Sequence, residues 1–217
     1  MDRNKNSFIN FLIENKALRF GSFVTKSGRT SPYFINTGDL FRGDLLHTLA
    51  RYYALTIKNN CPDTGCVFGP AYKGIPLAAA TVLSLYTDFK INAAYSFNRK
   101  EKKDHAEAGT LVGCQPAAAD RVVILDDVIT AGTSVREALD FFRKTSRPAV
   151  NGVVIAVDRK EVGYDGRHAV TEIKNKYQIP VYSIIDIDDI ITYLKEQNIP
   201  DEKLAERITA YRQKYGV

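Results

Sequence analysis

The stretch that decides the fold reads Arg121-Val122-Val123-Ile124-Leu125-Asp126-Asp127-Val128-Ile129-Thr130-Ala131-Gly132-Thr133-Ser134. Its apolar, β-branched run is typical of a buried strand, and it ends abruptly in two carboxylates. The residues at 130–134 are all small. Ser134-Val135-Arg136-Glu137 has the spacing of a capping box, which predicts a helix that begins at Ser134 or just before it. The segment therefore predicts a strand, a tight turn and a helix in immediate succession.

Both halves of that segment suit a sugar phosphate. A strand that ends in acids carries them to the rim of a sheet, where carboxylates accept hydrogen bonds from sugar hydroxyls. Residues 130–134 leave orphan backbone N–H groups at a helix N-terminus, where the helix dipole favours an anion such as a phosphate. Gly132 lets the backbone approach that anion closely. For the two acids alone, an ordinary turn that caps the helix is the alternative.

The segment resembles the diphosphoribosyl-binding motif of the type I phosphoribosyltransferases. The resemblance implies that Asp126 and Asp127 hold the ribose hydroxyls of 5-phosphoribosyl 1-diphosphate and that the following loop holds the 5-phosphate. It also implies the α/β fold of that family, with a central, mostly parallel sheet flanked by helices and a small N-terminal cap, or hood. The acceptor of the phosphoribosyl group stays open at this point.

The composition suits one substantial core. The chain has 217 residues, 45% of them apolar, and a formal net charge of +5. It contains no apolar run of membrane-spanning length and no signal-peptide pattern, and its three cysteines lack zinc or redox spacing, so we expect a cytoplasmic protein. The charge suits an anionic small substrate as well as nucleic acid and decides nothing by itself.

Apolar runs alternate with helical patterns, which predicts a parallel sheet covered by helices on both faces. The predicted core strands lie at residues 65–68, 91–97, 122–125, 150–157 and 180–185, with helices at 75–85, 134–144 and 170–177. Helices near 7–18 and 45–58 belong to a predicted cap, and helices at 187–197 and 201–215 follow the core. We expect one domain, 1–217, in which about 1–60 form the cap and its flanking helices, about 61–186 the core and about 187–217 the last helices.

Two further segments follow predicted strands and carry positive charge. Phe68-Gly69-Pro70-Ala71-Tyr72-Lys73-Gly74 is a tight turn in which Lys73 and backbone amides can face a diphosphate, and a solvated lysine is the alternative. Asn98-Arg99-Lys100-Glu101-Lys102-Lys103-Asp104-His105 is a basic loop. We interpret it as a lid that supplies charge to a departing diphosphate and excludes water; a solvated loop or a nucleic-acid patch is the alternative.

Two segments carry candidate contacts to a flat, anionic acceptor. Arg159 ends a predicted strand, and its guanidinium suits the edge of a planar acid, although a salt bridge with Glu161 or Asp158 is the alternative. Turn signals at Ser27-Gly28 and Ser31-Pro32 predict a β-hairpin in the cap. Its Lys26 and the backbone of Phe34 and Ile35 are candidate contacts to the heterocycle, against a purely structural hairpin. His47 and His168 are expected to be structural or solvated.

Together these segments resemble the orotate phosphoribosyltransferases over nearly the whole chain. The resemblance implies transfer of the 5-phosphoribosyl group from 5-phosphoribosyl 1-diphosphate to orotate, giving orotidine 5′-monophosphate and diphosphate in de novo pyrimidine biosynthesis. It implies Mg²⁺ as cofactor, held mainly through the donor substrate, with no certain protein ligand beyond the neighbourhood of Asp126 and Asp127. It implies a homodimer whose basic loop closes over the neighbouring subunit's site, without a nucleic-acid or membrane partner.

The resemblance also assigns roles to individual residues. The implied catalytic residues are Lys26, Lys103, His105 and Asp127. The implied donor contacts are Lys26, Tyr72, Lys73, Arg99, Lys100, Lys103, His105, Asp126, Asp127, Val128, Ile129, Thr130, Ala131, Gly132, Thr133 and Ser134. The implied orotate contacts are Lys26, Phe34, Ile35, Thr130 and Arg159.

The chain departs from the family pattern in the basic loop, where Ala106 and Ala108 stand in place of the usual glycines. Because alanine restricts the backbone, we expect an effect on loop closure more than on chemistry. A purine phosphoribosyltransferase is the second enzyme hypothesis, but the cap around Lys26 and the basic loop argue against it. A non-catalytic regulator of the same fold is the third, and it predicts lost acids or a lost basic loop, whereas both are present.

Overall fold

The computed structural model describes residues 3–25, 28–100, 111–129, 132–144, 149–162, 166–197 and 203–217. Its helices are α1 (Arg3–Glu14), α2 (Gly43–Asn60), α3 (Gly74–Phe89), α4 (Thr133–Lys144), α5 (Ala169–Tyr177), α6 (Ile187–Glu196) and α7 (Leu204–Tyr215), with a 3-10 turn at Thr37–Asp39. Its strands are β1 (Leu18–Val24), β2 (Thr30–Ile35), β3 (Cys66–Phe68), β4 (Ala94–Asn98), β5 (Leu111–Gly113), β6 (Arg121–Val128), β7 (Ala149–Asp158) and β8 (Val181–Asp186). In the described parts of the chain, no helix is long and apolar enough to cross a bilayer.

Six strands form the central sheet in the order β5-β4-β3-β6-β7-β8. Neighbouring strands run parallel except β4 and β5, which are antiparallel, so the predicted mostly parallel sheet is confirmed. The strand β5 was not predicted from the sequence. A strand of three residues is too short to display a periodic pattern.

Helices cover both faces of the sheet, as predicted. Successive side chains of a strand point to opposite faces, and β6 follows this rule. Val123 and Leu125 are buried in an apolar cluster with residues of α1, α2, α3, α6 and α7, whereas Val122 and Ile124 are buried with residues of α4 and α5. Because such strands are buried on both faces, they appear in the sequence as continuous apolar runs.

The predicted hairpin is confirmed as the antiparallel pair β1 and β2. Tyr33 and Ile35 of β2 are buried in the same apolar cluster as Phe8 of α1 and Tyr211 of α7. This packing attaches the hairpin to the sheet from the side on which α6 and α7 lie.

The boundaries of several helices differ from the predicted ones. The helix predicted at 7–18 spans Arg3–Glu14, because Lys16 adopts a left-handed φ of 57° that breaks the helix before β1 begins at Leu18. The last helix begins at Leu204 rather than at 201. By contrast, the helix predicted to begin at Ser134 or just before it does begin at Thr133, so this boundary is confirmed.

Candidate active site

Four parallel strands, β3, β4, β6 and β7, end at the same edge of the sheet. The segments that the sequence analysis singled out leave these strands at Gly69, Arg99, Ile129 and Arg159. Because the carboxyl ends of parallel strands meet at one edge, the fold brings these segments together, as expected from the sequence.

Asp126 is a largely buried acid that ties the end of β6 to α4. Its carboxylate accepts hydrogen bonds from the Ser134 hydroxyl (2.7 Å) and from the backbone N–H of Asp127 (2.9 Å), and the Tyr53 hydroxyl donates to its carbonyl oxygen (2.8 Å). Burial raises the pKa of Asp126 to about 6; the charge of Asp127 adds to this effect and the Ser134 bond opposes it. The ionisation of Asp126 therefore depends on its burial, on the charge of Asp127 and on the hydrogen bond from Ser134.

The predicted capping box at Ser134 is wrong. The Ser134 hydroxyl bonds to Asp126 instead of to a backbone N–H of its own helix, because the strand end places a carboxylate within 2.7 Å of it. Gly132 precedes the helix with a left-handed φ of 67°, a conformation that favours glycine, and its carbonyl accepts the N–H of Arg136 (2.9 Å). Ile129 is buried at the start of this turn, and Thr133 is exposed at its end.

Asp127 is the more accessible acid and faces the loop after β3. Its carboxylate forms an ion pair with Lys73 Nζ (3.2 Å) and accepts the backbone N–H of Val128 (2.7 Å). Lys73 Nζ also donates to Asn36 Oδ1 (3.2 Å). Asp127 and Lys73, predicted to lie on the sugar and diphosphate sides of one substrate, are thus direct neighbours across the site.

The loop at 69–74 is held in a compact form by its glycines and by Asn98. A Cβ at Gly69 would collide with the carbonyl oxygen of Gly74, so the backbone approach requires glycine there. Asn98 Oδ1 accepts the backbone N–H of Ala71 (2.9 Å). Lys100 Nζ lies 5.0 Å from the centroid of the exposed Tyr72 ring, which joins this loop to the first residues of the basic loop.

Arg159 is buried at the end of β7 and forms the salt bridge with Glu161 that was the alternative interpretation. Its Nη2 lies 2.7 Å from Glu161 Oε1, and Nε donates to the same oxygen at 2.8 Å. Burial alone would lower the pKa of Arg159, but Tyr33 and Glu161 raise it above its ordinary value. Burial raises the pKa of Tyr33 well above its ordinary value, so its hydroxyl remains a donor, and Glu161 accepts it at 2.7 Å. Asp158 pairs instead with His168 (Nε2–Oδ1, 3.1 Å).

Phe34 and Ile35 are the last two residues of β2, at the end of the hairpin away from its turn. Both pair through their backbones with β1, opposite Arg19 and Leu18. The Phe34 ring lies 5.5 Å from that of Phe23, and the Arg19 guanidinium carbon lies 5.0 Å from its centroid, whereas Ile35 is buried.

Five predicted site residues lie outside the described residues: Lys26, Lys103, His105, Thr130 and Ala131. His47 is exposed on α2, and His168 also contacts Thr171 Oγ1 at 2.9 Å, so neither conflicts with the structural or solvated role expected for it. In the part of the chain that the structure describes, no group of three or more His, Cys, Asp and Glu side chains is placed to hold a metal ion.

Several partners of the site residues were missed by the sequence analysis. They are Ser31, Tyr33, Asn36, Tyr53 and Tyr211. Each lies far along the chain from the residue that it contacts and carries a common polar side chain, so no local pattern marked it. Glu161 was noted only as an alternative partner of Arg159.

The comparisons with known proteins agree on one family. The model of the phosphoribosyl transferase domain family matches residues 44–184. The orotate phosphoribosyltransferase of Clostridium acetobutylicum is 43% identical over the full length of both chains, and that of Cellvibrio japonicus is 46% identical over 100% of this chain and 99% of its own. The crystal structure of the orotate phosphoribosyltransferase from Francisella tularensis is 39% identical, with a TM-score of 0.86 over 97% of this chain and 100% of that one.

Proposed function

Because the chain belongs to the phosphoribosyl transferase family, we propose that the site at the carboxyl edge of the sheet transfers a 5-phosphoribosyl group from 5-phosphoribosyl 1-diphosphate to orotate. The products are orotidine 5′-monophosphate and diphosphate, a step of de novo pyrimidine biosynthesis. The observation that carries the acceptor assignment is the 43–46% identity to orotate phosphoribosyltransferases over the whole chain. Orotate phosphoribosyl transfer is therefore the activity of this protein.

The donor lies along the edge of the sheet between two loops. Asp126 and Asp127 orient the ribose hydroxyls, and the turn at 128–134 binds the 5-phosphate with its backbone N–H groups. The diphosphate faces the loop at 69–74 and the basic loop. Its contacts are Tyr72, Lys73, Arg99 and Lys100, with Lys103, His105 and Lys26 from outside the described residues.

The charges are arranged for departure of the diphosphate. Cleavage of the anomeric bond leaves positive charge on the sugar and adds negative charge to the leaving diphosphate. Lys73 and the basic loop therefore bind the diphosphate more strongly in the transition state than in the ground state. The Asp127 carboxylate lies on the sugar side. Its ion pair with Lys73 supports this assignment, since a diphosphate beside Lys73 would compete for the same ammonium. Orotate then attacks from a position in which it is already oriented.

We propose Mg²⁺ as an ion carried by the donor. Magnesium prefers oxygen ligands and keeps several waters, and Asp126 and Asp127 offer oxygens at the sugar edge. The described residues provide no complete set of protein ligands, so diphosphate oxygens and waters would supply most of them. When bound, the ion neutralises charge on the diphosphate.

We propose that orotate binds between the hairpin and Arg159. Arg159 would bind the carboxylate of orotate, the backbone of Phe34 and Ile35 its ring edge, and Lys26 and Thr130 would complete the site. The buried guanidinium beside the hairpin supports this arrangement, because a water-poor site strengthens a charge-assisted hydrogen bond.

We further propose a cytoplasmic homodimer in which all 217 residues form one domain and the basic loop closes over the partner's site. Leu83 and Tyr86, three positions apart on α3, and Tyr95 on the neighbouring β4 are exposed apolar side chains suited to burial in a subunit interface. Mixing inactive Lys103→Ala with inactive Asp127→Asn subunits tests the shared loop. Mixed dimers should regain activity, and no recovery would restrict the loop to its own subunit.

The acceptor assignment is tested by following orotate absorbance with the donor and Mg²⁺. Orotate should be consumed and diphosphate released in equal amounts. Turnover of adenine or hypoxanthine without loss of orotate would overturn the assignment in favour of a purine phosphoribosyltransferase. Donor binding without any turnover would instead indicate a regulator.

A further inference from the structure

A buried polar cluster joins the hairpin, the end of β7 and α7. We call it the Glu161 cluster, and it comprises Ser31, Tyr33, Arg159, Glu161 and Tyr211. Glu161 is the central acceptor. Its Oε1 accepts Arg159 Nε at 2.8 Å and the Tyr33 hydroxyl at 2.7 Å, and it lies 2.7 Å from Arg159 Nη2. Its Oε2 accepts the Tyr211 hydroxyl at 3.3 Å. Both carboxylate oxygens are therefore hydrogen-bonded.

The cluster constrains Arg159 on one edge and one face. The edge that carries Nε and Nη2 is bonded to Glu161, and Nη2 also donates to Ser31 Oγ at 3.4 Å. The guanidinium carbon lies 4.6 Å from the centroid of the Tyr33 ring, which supports one face. Within the described ranges, Nη1 has no hydrogen-bond partner. The edge that carries Nη1 is thus left for a ligand.

An arginine that must bind a planar carboxylate gains from being held in this way. The guanidinium is a rigid plane on a long, flexible side chain, so its orientation decides whether the N–H groups of Nη1 reach a ligand carboxylate. A buried guanidinium without a charged partner would also strongly destabilise the folded protein. Glu161 provides both the compensating charge and the orientation, and Tyr33 and Tyr211 hold Glu161 itself in place.

We propose that Glu161 is a positioning residue for the acceptor: it acts through Arg159, whose fork it orients towards the carboxylate of orotate. This inference rests on the proposed function, because it requires orotate as the acceptor. It extends that function by assigning acceptor selectivity to a side chain that does not itself contact the acceptor.

Two variants of Glu161 separate positioning from general support of the fold. In Glu161→Gln, the amide oxygen can accept the donors from Arg159 and Tyr33, and the Tyr211 hydroxyl can rotate to accept the amide N–H. We expect the KM for orotate to stay within about fivefold of the wild type. In Glu161→Ala the Arg159 guanidinium loses the carboxylate that orients it. We expect the KM for orotate to rise about 10- to 100-fold while the KM for the donor stays within about twofold.

A comparison with uracil, which lacks the carboxylate of orotate, identifies the group that the cluster serves. Equilibrium binding to the donor-analogue complex should show that Glu161→Ala weakens orotate about 10- to 100-fold and leaves uracil unchanged. Introducing Glu161→Ala into Arg159→Ala should then cause no further loss of orotate affinity, because Glu161 acts through Arg159. Tyr211→Phe, which removes only the 3.3 Å bond, is the mild variant that keeps the fold.

The outcomes are distinguishable from a failure of the proposed function. If the wild-type protein does not consume orotate, the proposed function fails. If the wild type is active but Glu161→Ala raises both KM values together, or weakens uracil as much as orotate, Glu161 only supports the fold and the positioning role is overturned. An additive loss in the double variant would overturn the action through Arg159. If Glu161→Ala does not fold, Tyr211→Phe provides the test. We then expect a rise of about two- to fivefold in the KM for orotate and no change in the KM for the donor.

Discussion

The donor side and the acceptor side of the site are assembled in different ways. On the donor side, Asp126 and Ser134 belong to one strand–turn–helix segment, and their hydrogen bond joins residues only eight positions apart. On the acceptor side, Arg159 contacts Ser31, which is 128 positions away. The turn that holds Asp126 and Ser134 therefore owes its geometry to local backbone structure, whereas the acceptor side depends on how the hairpin and α7 pack against the sheet. Substitutions on the two sides should have separable effects.

The largest effect is expected on the donor side, from Asp127→Asn. The amide cannot stabilise positive charge on the sugar, and it weakens the ion pair with Lys73. We expect kcat to fall about 100- to 1,000-fold, which is typical of losing one electrostatic partner of a transition state. Steady-state kinetics measures this, and the exposed Asp63→Asn is the control. An accompanying large rise in the KM for orotate would show that the two sides are not separable.

The next largest effect is a dependence of stability on pH that arises from Asp126. Burial raises the pKa of Asp126 from 3.8 to about 6, so the folded state binds this proton more tightly than the unfolded chain does. The resulting contribution to the free energy of unfolding is fully present below pH 3.8 and is lost as the pH rises through about 6. At 1.36 kcal/mol per pKa unit, the loss is at most about 3 kcal/mol.

The variant Asp126→Asn tests this because it cannot titrate. Urea unfolding at about pH 4.5 and about pH 8, in metal-free buffer, should show the variant gaining about 1–3 kcal/mol of stability relative to the wild type at the higher pH. Asp63→Asn, measured in parallel, corrects for the loss of one acid. Equal differences at the two pH values would contradict a buried, titrating Asp126.

A smaller effect is expected from Ser134→Ala. The substitution leaves the buried Asp126 carboxylate without its hydroxyl donor, so the free energy of unfolding should fall by about 1–3 kcal/mol. The exposed Ser7→Ala, which removes a hydroxyl bonded to the Arg3 carbonyl, should have almost no effect. Because the Asp126–Ser134 bond is local to the donor side, the KM for orotate should not change. A change in the KM for orotate would show that the donor side and the acceptor side are not independent.

The smallest effect is expected from Gly132→Ala. Both Gly132 (φ 67°) and Gly166 (φ 73°) adopt left-handed backbone conformations, and a Cβ at either meets no close obstruction. Each alanine substitution should therefore cost about 1–2 kcal/mol of stability. Only Gly132→Ala should also raise the KM for the donor, since Gly166 lies outside the phosphate turn. Equal KM values for the donor in the two variants would show that Gly132 does not contribute to donor binding.

The fold was predictable where the pattern was local and long. The parallel strands appeared as continuous apolar runs, since both of their faces are buried, and the alternation with helices indicated a parallel sheet. The edge strand β5 escaped prediction because only three residues form it. The capping box at Ser134 matched a sequence pattern, but the Ser134 hydroxyl donates to the carboxylate of Asp126 at the end of the preceding strand and does not cap the helix.

The candidate site was predictable to the same extent. Asp126 and Asp127 were identified because they lie at the carboxyl end of a strand, and Lys73 because it follows another strand, and such ends lie at one edge of the sheet. The ion pair between Asp127 and Lys73, 54 positions apart, was not predictable, because it depends on the relative placement of two loops. The sequence left Arg159 open between a ligand contact and a salt bridge; the structure shows the salt bridge with Glu161, and the ligand contact stays a prediction.

The amino-acid sequence by itself determined the parallel sheet, the edge at which its acids and cations gather, and the donor motif at 121–134. These properties follow from chain direction and from the period of apolar residues, which are local. Only the tertiary structure decided that Asp126 is buried against Ser134 while Asp127 faces Lys73, and that Ser31, Tyr33 and Tyr211 surround the Arg159–Glu161 pair. Apart from the Asp126–Ser134 bond, which lies within one segment, those contacts join distant segments, and their geometry arises from packing that no local pattern encodes.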